Sequence, residues 1–154
     1  MCVALDVARP WRPAQYGLDD QRTLGVAVGP AEALDSLGLY TVERWQDAFN
    51  YRWAGQSARW AQRADSNGMV RVQYLLDHPD LARHPVRWTL RLDGAPVASV
   101  LVTNANWQVV EAAAPPGSWH DCEAAVSRTW QPRAHGGKDD RTLGFAVRCD
   151  ANLW

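Results

Sequence analysis

The eight residues "VRWTLRLD", Val86 to Asp93, alternate without a fault. Val86, Trp88, Leu90 and Leu92 fall on one side, and Arg87, Thr89, Arg91 and Asp93 on the other. A period of two is that of an antiparallel strand with one face in a core and the other in water. Asp93-Gly94 then supplies a dipeptide that tolerates the positive φ angles of a two-residue hairpin turn. "PVASVLVT", Pro96 to Thr103, returns as the partner strand.

The same signal recurs along the chain. "MVRVQYLLD" places Val70, Val72, Tyr74 and Leu76 on one side and is entered through the turn Ser66 to Gly68. "SARWAQR" (Ser57 to Arg63), "WQVVEA" (Trp107 to Ala112) and "DCEAAVSRTW" (Asp121 to Trp130) read as further strands. "HPDLARHP" (His78 to Pro85) and "AAAPPGS" (Ala112 to Ser118) read as connections. The best helical window, "PAEALDSLGLY" from Pro30, is short, is interrupted by Gly38, and reads equally as a loop with one turn. With "VALDVAR" and two "RTLG-x-AV" segments, the count reaches about nine or ten short strands, which predicts an all-β, antiparallel β-sandwich, jelly-roll-like.

Those two "RTLG-x-AV" segments belong to a longer repeat. "RPWRPAQYGLDDQRTLGVAV" (Arg9 to Val28) aligns without a gap on "RTWQPRAHGGKDDRTLGFAV" (Arg128 to Val147), at a constant offset of 141 − 22 = 119. Trp11 and Pro13 match Trp130 and Pro132, Asp20 matches Asp139, and Arg22 matches Arg141; Asp140 stands beside Asp139 in the second copy only. In each copy a proline without an N–H ends one strand, and a glycine relaxes the backbone of the polar loop. Arg22 or Arg141 stands where the loop enters the sheet, close in sequence to carboxylates that a planar guanidinium can brace. The alternative use of the acidic pair is a Ca²⁺ or sugar contact, but two adjacent aspartates without a spaced ligand series are a weak calcium signal.

Composition removes several classes of function. Of the 154 residues, 47% are hydrophobic, and the net charge of −1 leaves no electrostatic footprint for nucleic acid. No segment approaches the roughly 18 apolar residues of a membrane-spanning helix. "MCVALDVARPW" is too short an apolar run for a signal peptide, which makes a cytoplasmic location the expectation, with surface association the other option. Cys2, Cys122 and Cys149 suit neither a disulfide framework nor a zinc site, so reduced thiols are expected, although a Cys2 link to another chain stays open.

Catalytic constellations are missing from the pattern. His78, His84, His120 and His135 form no HxxxH or HExxH, and no GxSxG elbow or phosphate-cradling glycine loop occurs. His120 and Cys122 are two apart, a spacing that reflects a shared strand face more than a nucleophile and its base. Glu43 and Glu111 could serve glycoside hydrolysis only if about 5–9.5 Å apart. No enzyme, no cofactor and no metal is the reading.

Binding fits the residues better. Aromatic platforms beside Arg, Asp, Glu and Asn suit the apolar faces and hydroxyl rims of sugars. Two clusters offer that mixture: Tyr40, Glu43, Trp45, Tyr51, Arg52 and Trp53, and then Asn104, Asn106 and Trp107 in the polar loop "TNANW", which could present its Trp to solvent. The structural alternative pairs Arg52 with Glu43 across a core edge and buries Trp53.

The run "GLYTVERWQDAFNYRWA", with Gly38, Tyr40, Glu43, Arg52 and Trp53, together with "TWQPRAHGGKDDRTLGFAV", resembles β-sandwich accessory modules of bacterial surface-polysaccharide glycosyltransferases and methyltransferases. The resemblance runs from about Ser36 to the C-terminus, and Leu39 stands where those modules carry an aromatic residue. It implies a complete module over 35–154, while 1–34 looks like the closing strand pair of a preceding module. That pair would cap an edge of its own sandwich or exchange into a neighbour, giving a homo-oligomer through residues 1–30. The functional expectation is a non-catalytic, carbohydrate-interacting module associated with bacterial polysaccharide. A self-assembling structural protein is the alternative, and a small glycan-acting enzyme is a distant third.

Overall fold

The computed structural model describes residues 38–46 and 48–148. Among them nine strands run in chain order: β1 Leu39–Trp45, β2 Phe49–Ala54, β3 Ser57–Arg63, β4 Met69–Leu75, β5 Val86–Leu92, β6 Ala95–Val102, β7 Gln108–Ala113, β8 Trp119–Val126 and β9 Phe145–Arg148. They form two antiparallel sheets, β1-β2-β9-β4-β7 and β3-β8-β5-β6. The protein is an all-β antiparallel sandwich. The first copy of the repeat, with Trp11, Pro13, Asp20 and Arg22, lies outside the described residues, as does the window from Pro30 to Leu37.

Alternation in the sequence becomes burial in the four-stranded sheet. Val86, Trp88, Leu90 and Leu92 of β5 point inward, as do Ala58, Trp60 and Gln62 of β3 and His120, Cys122, Ala124 and Val126 of β8. The β5–β6 turn is the expected one: Asp93 (φ 49°) and Gly94 (φ 80°) link Leu92 directly to its partner Ala95. Strand β8 begins two residues earlier than the sequence suggests and stops at Val126, so "SRTW" leaves the sheet.

From the five-stranded sheet, Val70, Val72 and Tyr74 of β4 and Phe145 and Val147 of β9 close the core. The Trp88 and Tyr74 rings stack across the two sheets with centroids 3.8 Å apart, and Phe145 meets Trp88 edge-on at 6.5 Å. Fully burying rings of this size contributes roughly 2–3 kcal/mol each.

Residues 127–144 form a long excursion between β8 and β9. Trp130 and Leu143 exchange both backbone hydrogen bonds at 2.8 Å, so the excursion returns on itself before β9 begins. Its tip is a short 3₁₀ helix, Pro132–His135, with Pro at its start and Gly136 (φ 85°) at its end. Gly144 admits no side chain: a Cβ there would lie 2.1 Å from the Gly55 carbonyl oxygen. That close approach explains the Leu-Gly of the repeat in the copy the structure describes.

Candidate functional site

Register decides which residues leave the core. Phe49 pairs with Trp45, Tyr51 with Glu43 and Arg148, and Trp53 with Ala146, so these residues share the outer face of the five-stranded sheet. On one-sided sheets that face carries charge; here it carries rings. Trp45 and Phe49 stack (6.4 Å, 9°), and Trp45 meets Tyr51 edge-on at 5.8 Å. Trp107 arrives from the loop before β7 and contacts Phe49 (5.2 Å), Trp45 (5.7 Å) and Tyr51 (6.1 Å). Trp107 of the second sequence cluster therefore joins Trp45 and Tyr51 of the first in one patch. Beneath it Trp53, Leu75, Leu143 and Ala146 are buried and fill a second, smaller core outside the sandwich.

The loop bearing Trp107 is shaped by its asparagines. Asn104 Oδ1 accepts the Asn106 backbone N–H at 3.2 Å, and both side chains are exposed. Trp107 is half-buried rather than held out alone, and its Nε1 has no hydrogen-bond partner among the described residues. Sequence pattern could not place this ring, because nothing local says which sheet a loop folds back over.

A polar network borders the rings. Arg141 lies at its centre: Nη1 donates to Glu43 at 2.6 Å, while Nε and Nη2 grip Asp139 at 3.0 and 2.7 Å. Glu43 also accepts from the Tyr51 hydroxyl at 2.7 Å, and the Tyr40 hydroxyl donates to the Thr142 carbonyl at 3.0 Å. The Arg141 guanidinium sits 5.2 Å from the Tyr40 ring centroid. Residues about a hundred positions apart thus form one connected group. Arg141 has an elevated pKa, first through its bonds to Asp139, and Asp139 is held below the usual carboxylate range by that same guanidinium. Burial, then the Glu43 carboxylate, pushes the Tyr51 hydroxyl up to about 12. The structure places Asp140 apart from this network, on Arg133 at the loop tip, 2.6 Å away. On the far side of the rings, Arg148 lies 4.4 Å from the Phe49 centroid and donates to Gln73 at 3.0 Å.

Three expectations need correction. Arg52 does not pair with Glu43: it sits opposite Val147, on the face away from Tyr51, and its Nε donates to the Tyr40 carbonyl at 2.5 Å. Trp53 is only 7% exposed and serves as a floor, not a platform. Glu43 and Glu111 lie on β1 and β7, the two edges of one sheet, about 19 Å apart at four strand spacings. That separation is too wide for the carboxylate pair of a glycosidase, and Glu111 is bonded to Arg71 at 2.6 Å.

One arrangement was missed. Ser118 Oγ, His120 and Asp93 form a chain, 2.6 Å to Nε2 and 2.7 Å from Nδ1. A nucleophile needs nearby donors for an oxyanion, yet the Gly117 and Ser118 N–H groups are already bonded to the Ala64 and Pro115 carbonyls. Ser118 Oγ is also within 2.5 Å of the Pro115 carbonyl oxygen. The chain ties the β5–β6 turn to the start of β8. The neighbouring Cys122 is buried, which pushes its thiol up to about 12 and away from nucleophilic use.

A cleft of about 660 Å³ opens at the start of β1, lined by residues 38–41 and 55–57, with Tyr40 linking it to the polar network. Among the described residues no group of three or more His, Cys, Asp or Glu is placed to hold a metal ion, and no helix is long and apolar enough to cross a membrane.

No family model and no curated protein matches the chain. Among solved structures it is similar to a family 35 carbohydrate binding module from an environmental isolate, at 10% identity over 75% of this chain and 89% of that one, with a TM-score of 0.35. A score that low transfers neither ligand nor site.

Proposed function

We propose that this protein is a non-catalytic carbohydrate-interacting module that binds glycan on the outer face of its five-stranded sheet. The observation that carries the reading is the convergence of Trp45, Phe49, Tyr51 and Trp107 into one patch beside the Glu43–Arg141–Asp139 network. Rings accept the C–H faces of a pyranose, and fixed charged groups at the margin accept and donate to its hydroxyls. The network arrives hydrogen-bonded, so little ordering is left for the moment of binding. Each ring contributes on the order of 1 kcal/mol, which makes a single site weak. The resemblance to accessory modules of surface-polysaccharide enzymes makes a bacterial polysaccharide the preferred ligand class.

The test is affinity electrophoresis through gels containing bacterial polysaccharides, followed by an array of their repeat units. Retardation of the native chain that disappears in Trp107→Ala and persists in Arg59→Ala supports the reading. Equal mobility of the native chain in every gel and no array signal would sink it.

A further inference from the structure

Among the described residues four strands stand at sheet edges, and three of them carry charge. β1 has Glu43 and Arg44 with a register shift between Leu39 and Val42, β3 has Arg59 and Arg63, and β7 has Glu111. β6 has none: from Ala95 to Asn106 the chain contains no charged residue. Folded proteins ordinarily blunt an edge with charge or a bulge, because an uncharged edge is a template for another strand.

The hydrogen-bond phase says which groups of β6 face that edge. The Ser127 N–H donates to the Arg87 carbonyl at 2.9 Å, and the Asp93 N–H donates to the Asp121 carbonyl at 2.8 Å. Odd-numbered residues of β5 therefore direct their backbone groups toward β8. Even-numbered Val86, Trp88 and Leu90 direct theirs toward β6, onto Val102, Val100 and Ala98. The N–H and C=O groups of Ser99 and Leu101 are left at the open edge, with no strand beside them among the described residues. Both side chains are exposed as well, Leu101 by 54%.

We propose that β6 pairs antiparallel with β6 of a second copy of this chain, about a two-fold axis at Val100. Ser99 then exchanges both backbone hydrogen bonds with the partner's Leu101, and the two-fold repeats the pair. Val100, which is only partly buried against its own core, meets the partner's Val100 on the axis. The register shift opposite Leu90 and Arg91 lies outside the bonded pairs. The edge is complementary to itself: apolar positions meet apolar or hydroxyl positions, and no like charges oppose each other. The contact joins the four-stranded sheets of two copies and leaves the aromatic face of both five-stranded sheets untouched, so this inference is independent of glycan binding.

The test is sedimentation of the full chain under reducing conditions over a range of concentrations, with hydrogen exchange on the same samples. The native chain should pass from one-chain to two-chain mass as concentration rises. Exchange at the Ser99 and Leu101 amides should slow with it, while Val100 and Val102 stay protected throughout. Leu101→Pro removes an N–H that the monomer leaves at the edge, so it should stay monomeric with a melt close to native. Leu101→Lys keeps the N–H but adds positive charge beside Arg87 and across the axis, and should weaken the dimer about tenfold. A native chain that is monomeric at every concentration, or a Leu101→Lys chain that dimerises as tightly as the native one, would overturn the proposal.

Discussion

The two sheets of this sandwich treat their outer faces in opposite ways. The four-stranded sheet turns outward mostly polar residues, Arg59, Asp121, Glu123, Arg87 and Thr89, with Trp119 and Leu101 exposed singly among them, and its polar contacts include the Arg59–Asp121 ion pair and an Arg87–Ser99 bond of 3.1 Å. The five-stranded sheet turns outward aromatic rings over a floor of buried Trp53, Leu75 and Ala146. As a result its central strands are buried on both faces: Tyr51 to Ala54 in β2 and Phe145 to Val147 in β9 have no solvent side. A sheet covered on one face needs no further explanation. Over β2 and β9 the five-stranded sheet is covered on both faces, whereas its β4–β7 side keeps an exposed Arg71–Glu111 pair, and the proposed function resides on the covered side.

The contrast can be broken in order of expected effect. Trp88→Ala removes the ring shared by both sheets and should cost about 3–5 kcal/mol, read as a lower urea midpoint. Arg141→Ala releases Glu43 and Asp139 at a site about a third exposed; a loss of about 1.5 kcal/mol is expected, with a shifted array signal if the network contacts glycan. Trp107→Ala should cost only about 1 kcal/mol in the same melt while abolishing retardation in polysaccharide gels. Arg59→Ala, on the other sheet, should leave both the melt and the retardation unchanged.

Acid provides a finer probe. Asp139 has a depressed pKa in the folded chain, so the unfolded chain takes up its proton first as pH falls. The stability it contributes is present above about pH 4, the ordinary Asp value, and is lost as pH drops through the lower folded value. Arg141→Leu removes the cause and should flatten the part of the acid limb of Tm against pH that Asp139 supplies. At the alkaline end Tyr51, raised to about 12, should remain protonated as the pH passes about 10, the ordinary tyrosine value, which absorbance at 295 nm follows.

Much of the fold was legible because one-sided strands announce themselves. "VRWTLRLDG" set both the inward face of β5 and its turn, and "SARWAQR" set β3. The site was harder to read for the same physical reason. "FNYRWA" does not alternate cleanly because both of its faces are covered, so the sequence could nominate Tyr51 but could not separate outward Tyr51 from inward Arg52. The bracing role of Arg141 was readable from the acidic residues beside it, whereas its second partner, Glu43, lies 98 positions away. Trp107 was recognisable as an aromatic in a polar loop, and only the fold joined it to Trp45 and Phe49.

The most direct measurement is a titration of the native chain with the best-retained polysaccharide fragment, followed by tryptophan fluorescence, beside Trp107→Ala and Trp60→Phe of confirmed fold. If the outer face binds glycan, the native chain and Trp60→Phe should give the same saturable change, and Trp107→Ala should give none. A change of full size and unaltered midpoint in Trp107→Ala would contradict the account.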